Sequence, residues 1–241
     1  MSAVRRTETF PTGHAHCTVS VSMASGQIEV RAIDALHVSV DLDADHADDW
    51  DVSQFGDSVV VRAPRRRRTR SAKVGLQVPI GTDIRIEAAS ADVVMHGTVG
   101  DVRVRTASGD LRADEVARLD FGSASGDVQV HTVTGRLMAS TASGDVRATR
   151  VGDDCQCGTA SGDVRIECCD GDSIDVKTVS GDIQLGLPAG IRVDPDIHTL
   201  SGRTRLPAPR TSPAPADAPR RNVRLRLRAV SGDVTVERID R

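Results

Sequence analysis

The chain has 241 residues, enough for one large domain or two small ones with a buried core. Charged residues make up 27% and the net charge is −3, so no basic bias points to nucleic acid, and aromatics at 2% leave no stacking platform for bases or sugar rings. No apolar run approaches the roughly 18–20 residues of a membrane-spanning helix, and Met1–Phe10 holds no apolar signal core, so the expectation is a cytoplasmic protein.

Residues 1–88 alternate apolar with polar side chains over Thr18–Met23, Gln27–Ala32, Leu36–Leu42, Trp50–Phe55, Ser58–Ala63, Lys73–Val78 and Asp83–Glu87. That period of two predicts strands, and the irregular turns between them predict a strand-rich N-terminal capping module. Ala24-Ser-Gly-Gln and Asp57-Ser read as hairpin turns, so part of the pairing is predicted to be antiparallel. Asp43–Asp49, with His46, reads as a solvated acidic loop. Arg65, Arg66, Arg67 and Arg68, followed by Arg70 and Lys73, form the one strong charge run. They suggest an anion- or partner-binding loop, but the run is short, has no aromatic or Gly-rich companion and follows Pro64, which is how an exposed connection reads. His14, His16 and Cys17 raise a metal hypothesis that lacks further ligands.

From residue 89 to 241 the chain repeats itself. The phrase Thr-Ala-Ser-Gly-Asp-Val-Arg-Val recurs with its central glycine at Gly109, Gly126, Gly144, Gly162 and Gly181, at gaps of 17, 18, 18 and 19 residues. A period of that size marks a repeat architecture. Inside it lies a finer beat of apolar pairs nine residues apart, among them Val128/Val130, Leu137/Ala139, Val146/Ala148, Cys155/Cys157 and Val164/Ile166. Each pair is one short strand with both side chains on one face. Two strands and two turns per repeat predict an all-β, two-walled β-solenoid of the parallel β-helix kind, about 18 residues per coil, with a thin core of small aliphatic side chains. The Ser-Gly-Asp corner needs no ligand: glycine accepts positive φ, and Ser and Asp satisfy backbone N–H groups.

Cys155 and Cys157 occupy inward positions, and Cys168 and Cys169 follow half a coil later. A four-thiolate zinc site made from Cys155, Cys157, Cys168 and Cys169 needs C-x₂₋₄-C spacing, which neither C-x-C nor C-C supplies, so the thiols read as small, reduced core residues. Beyond Leu185 the beat loosens. Ser201-Gly-Arg repeats the corner with Arg203 in the Asp place, and residues 207–219 carry five prolines and read as a loop. Asn222–Glu237 resumes the pattern as two strands expected to close the C-terminal end, with Arg224, Arg226 and Arg228 protecting an edge.

The recurring Ser-Gly-Asp-Val-x-Val phrases, the irregular first third, the proline break and the closing Arg-Leu-Arg-Ala-Val-Ser-Gly-Asp-Val-Thr-Val resemble the bacterial β-strand-repeat family called domain of unknown function 4097, often labelled adhesins. The resemblance implies a β-solenoid with no catalytic residues or cofactor to carry over. Three functions fit such a chain. A noncatalytic scaffold or binding module for a protein partner needs no special residues. A calcium-binding repeat would need six to eight oxygen ligands per ion, against one corner Asp per coil. A carbohydrate-active β-helix enzyme would need convergent carboxylates that break the repeat, and none is apparent.

Overall fold

The computed structural model describes residues 4–13, 17–64, 71–207 and 221–239. The protein is all-β. Among the described residues, nineteen strands join one hydrogen-bonded sheet, and the only helical element is the 3-10 turn Ala47–Asp49.

The first third holds β1 (Val4–Pro11), β2 (Thr18–Ile33), β3 (His37–Ala44), β4 (Asp51–Phe55), β5 (Ser58–Arg62) and β6 (Ala72–Pro79). As the Asp57-Ser turn predicts, pairing here is partly antiparallel: β1 with β3, β3 with β6, and β4 with β5 through a hairpin at Gly56 and Asp57. The second expected hairpin is absent. Ala24-Ser-Gly-Gln lies within β2, which continues in one direction and pairs in parallel with β5 along its first half and β6 along its second. A Cβ at Gly26 would sit 1.8 Å from the Ala72 carbonyl oxygen, so the glycine permits a close crossing rather than a reversal. The charged residues of Asp43–Asp49 are exposed or half-buried, as a solvated acidic loop requires, while the apolar residues among and beside them turn inward. Ala44, Ala47 and Trp50 are buried, and Arg6 donates to the carbonyl oxygens of Ala47 and Trp50 at 3.3 and 3.0 Å.

After β7 (Asp83–Ser108) and β8 (Leu111–Ser125) come β9 (Val128–Val133), β10 (Leu137–Ser143), β11 (Val146–Val151), β12 (Cys155–Ser161), β13 (Val164–Cys169), β14 (Ser173–Ser180) and β15 (Ile183–Pro188). β2 pairs in parallel with β7, so the sheet passes without a break from the N-terminal strands into the repeats. Two parallel ladders then run through the molecule. In one, Leu119, Leu137, Cys155 and Ile174 are in register; in the other, Val128, Val146, Val164 and Ile183. Each rung is therefore one sequence repeat further on, and side chains recurring eighteen apart lie over one another. Their inward rows merge into one apolar core in which Val128, Leu137, Val146, Val151 and Cys169 are fully buried. A buried Val or Leu stabilises by about 1.5–3 kcal/mol, so the inward rows dominate the stability of each rung.

The corner glycines have a second cause beside the expected one. Gly109 and Gly181 take the expected positive φ, at 135° and 150°, but Gly126, Gly144 and Gly162 do not. A Cβ on them would lie 2.1–2.2 Å from the carbonyl oxygen of the glycine one rung earlier. Rungs approach so closely at this corner that no side chain fits between them.

The C-terminal end departs from sequence order. β16 (Arg192–Ser201) and β17 (Thr204–Arg205) precede β18 (Asn222–Ser231) and β19 (Val234–Ile239) in the chain, yet β18 pairs with β14 on one side and β16 on the other. β19 lies in the same way between β15 and β17. The final strands are thus inserted beneath the preceding pair, and Arg192–Arg205 forms the outermost rung. Three features favour this order. Val223, Leu225, Leu227, Val234 and Val236 are buried, whereas Val193 and Ile197 are only half-buried. Arg192 donates its N–H to Arg221 on the β18 side, so by alternation Pro195 directs its donorless nitrogen outward, where no ladder bond is lost. The third feature is the corner ladder described next.

Candidate binding surface

The recurrent aspartates form a continuous hydrogen-bonded column. Oδ1 of Asp92, Asp110, Asp127, Asp145, Asp163 and Asp182 each accepts the backbone N–H at the same corner of the next rung, at 2.8–3.1 Å. The last link runs from Asp182 to the N–H of Asp233, and Asp233 in turn accepts from Arg203 at 2.8 Å. Arg203, the one residue that breaks the acidic pattern, therefore sits at the end of the column, where no further rung requires an acceptor. Had the rungs followed sequence order, the Asp233 N–H would face Arg203 and lose its carboxylate partner. Each corner Asp is a charge-assisted acceptor for a backbone group, which is a structural assignment for the acids that suggested calcium.

The four thiols weighed and set aside as a zinc site do not share one face. Cys155 and Cys157 face the core with their sulfurs 3.6 Å apart, and Cys169 enters the same interior. Cys168 is in register with Arg150, an exposed position, and so lies on the opposite face of β13 from Cys169. Among the described residues, no three His, Cys, Asp or Glu side chains come together to hold a metal ion. Hydrogen bonding to Cys157 and Cys169, together with burial, pushes the Cys155 thiol well above its usual range, so it stays protonated. All five cysteines are buried, and none is paired in a disulfide. Arg65, Arg66, Arg67, Arg68, His14 and His16 lie outside the described residues, as does most of the proline segment.

The outer face of the first ladder carries the least regular surface. Arg105, Gly122, Ser140, Gly158, Lys177, Arg228 and His198 occupy one outward row in register, so three small residues interrupt a row of large polar ones. The parallel row holds Asp120, Met138, Gln156 and Asp175. Between them lies an open groove of about 350 Å³. Its ends are ion pairs: Nη2 of Arg105 donates to both carboxylate oxygens of Asp120 at 2.8 Å, and Lys177 meets Asp175 at 3.3 Å. Oδ1 of Asp175 is buried without a hydrogen-bond partner. A Cβ on Gly158 would meet nothing within 4 Å, so neither conformation nor crowding calls for glycine there. Sequence reasoning missed this groove because its residues are unremarkable singly. The signal was a gap in the outward charge pattern across three repeats.

Fold and surface together define an all-β strand-repeat protein. The chain belongs to the family described as Toastrack DUF4097, whose profile matches residues 11–237. Among solved structures it is similar to a candidate adhesin from Bacteroides fragilis, at 12% identity and a TM-score of 0.53, covering 98% of this chain and 97% of that one. It is also similar to a candidate lipid binding protein from Parabacteroides distasonis, at 13% identity and a TM-score of 0.50, covering 99% and 97% respectively. At such identities the likeness is one of fold. No curated protein matches the chain.

Proposed function

We propose that this chain is a noncatalytic binding scaffold for a protein partner, built as a two-walled β-solenoid of about 18 residues per coil. Residues 1–88 serve as its N-terminal cap and residues 89–241 as the repeat body of one continuous domain. The observation that carries this reading is the corner column: the abundant carboxylates, which in an enzyme or a calcium repeat would converge on substrate or ion, each hold a backbone N–H of the neighbouring rung. The description of the Bacteroides fragilis relative as a candidate adhesin agrees in kind with a binding role. Five buried thiols outside any disulfide suit a reducing compartment and support the cytoplasmic expectation.

Two measurements test the proposal. Thermal melting with calcium, zinc or chelator is expected to leave Tm unchanged; a rise of several degrees with either metal would identify a ligand of the folded state and replace the scaffold reading. Capture of a specific partner from cell extract is expected to survive replacement of Arg65, Arg66, Arg67 and Arg68 by Ser. Loss on that replacement would move the binding surface to the basic run, and hydrolysis of a polysaccharide panel would make the chain an enzyme.

A further inference from the structure

The outermost rung buries less of its apolar surface than the rung beneath it. Beneath it, β18 presents Val223, Leu225, Leu227 and Ala229 inward, all buried, and Arg224, Arg226 and Arg228 outward. Above it, the fit is imperfect at several registers. Pro195 stands opposite Leu225 and is exposed. His198 stands opposite Arg228, so two basic side chains meet at one register and share Asp196, which lies 2.8 Å from His198. Leu200 is 85% exposed, and the second strand of the rung is only Thr204–Arg205. What the rung does supply is acid: Asp194 is in register with Arg224, and Asp196 meets Arg226 and Arg228 at 3.3 and 3.9 Å.

We propose that Arg192–Leu206 is a displaceable strap that occupies a strand-binding edge, and that the edge accepts an extended segment of a partner protein in which acidic residues alternate with aliphatic ones. With the strap in place, the outermost edge is poor for strand addition, because Pro195 withholds a donor there. With it released, β18 offers an unbroken row of donors and acceptors, since Val223, Leu225, Leu227 and Ala229 direct their backbone groups to that side. Main-chain hydrogen bonds would hold the incoming strand, the inward aliphatic row would take its apolar side chains, and the three arginines would select its acids. An aliphatic residue opposite Leu225 and an acid opposite Arg228 would improve on both mismatches of the strap. The assignment rests on the binding-scaffold reading and places the partner on the C-terminal edge.

Residue-resolved amide exchange on the full chain tests the strap. Leu225 and Leu227 donate toward the strap, while Arg224, Arg226 and Arg228 donate toward β14. Strap release therefore predicts that the two leucine amides exchange at least about tenfold faster than the arginine amides within the same strand. Equal rates at alternate residues would overturn the strap. The edge is tested with a labelled ten-residue peptide of the β16 sequence carrying P195V and H198D, added to the full chain bearing Ile197→Asp, a half-buried position chosen to loosen the strap. Saturable binding weakened at least about tenfold by Arg226→Glu is expected. No binding, or binding indifferent to Arg226→Glu, would overturn the edge. A partner captured from extract whose binding ignores Arg226→Glu would overturn it too, while leaving the scaffold reading intact.

Discussion

Replacing Gly144 by Ala puts the close approach of rungs to a direct test. The added methyl would stand 2.2 Å from the Gly126 carbonyl oxygen, 2.8 Å from its carbon and 3.1 Å from the Thr141 hydroxyl. The first two contacts are backbone, so relief requires the rungs to separate, and the corner bonds Gly126 N–H to Ser143 and Gly144 N–H to Ser161, both 3.2 Å, have no slack to give. Overpacking of this kind costs about 1–3 kcal/mol. At about 2–4 °C per kcal/mol for a chain of this size, Tm should fall by about 2–12 °C. Gly158→Ala is the control within the same ladder. It meets open space at an ordinary φ, so loss of unfolded-state freedom should stabilise by about 0.4–1 kcal/mol. Thermal melts followed by circular dichroism measure both. A Gly144→Ala protein as stable as wild type, or equal losses at the two sites, would refute the claim that corner glycines exist for proximity.

Asp145→Ala strips the acceptor from the Asp163 N–H and the partner from Arg147, and should cost about 1–2 kcal/mol in urea unfolding, whereas Asp145→Asn keeps an oxygen and should recover most of it. Cys155→Val should stay within about 1.5 kcal/mol of wild type, as a small apolar swap does. Cys155→Ser, which leaves a hydroxyl in the apolar interior, should cost about 1–3 kcal/mol, and native Cys155 should resist alkylation. Desolvation raises the Asp196 pKa, but hydrogen bonds from His198 and Arg226, aided by Arg228, outweigh it and hold the carboxyl below its ordinary value of 3.8. Its contribution is thus full above that value and lost as pH falls through the lower folded one. Pepsin cleavage within Arg192–Leu206 should therefore rise as pH drops from about 4.5 to about 2, with a smaller step in Asp196→Asn. An identical step in the variant would exclude that ion pair as the cause.

The inward rows, the eighteen-residue register and the structural role of the corner acids could all be read from the sequence. Each depends on a short-range period: side chains two apart share a face, and a repeat that buries one face must stack on its like. Val128, Val146 and Val164 in one column are the direct outcome. The groove over Gly122, Ser140 and Gly158 was legible only in part, because a missing side chain means nothing until three rungs are seen side by side. Only the tertiary structure decided that Ala24-Ser-Gly-Gln is a bend within one strand, that the corner glycines make room for a carbonyl, and that Asn222–Ile239 lies inside Arg192–Arg205 rather than beyond it. That last choice is a competition between two rungs with nearly the same phrase for one position. Local pattern cannot settle it; what does is the sum of long-range terms, namely which rung can spare a donor at Pro195, which lacks an acceptor at Arg203, and which buries more aliphatic surface.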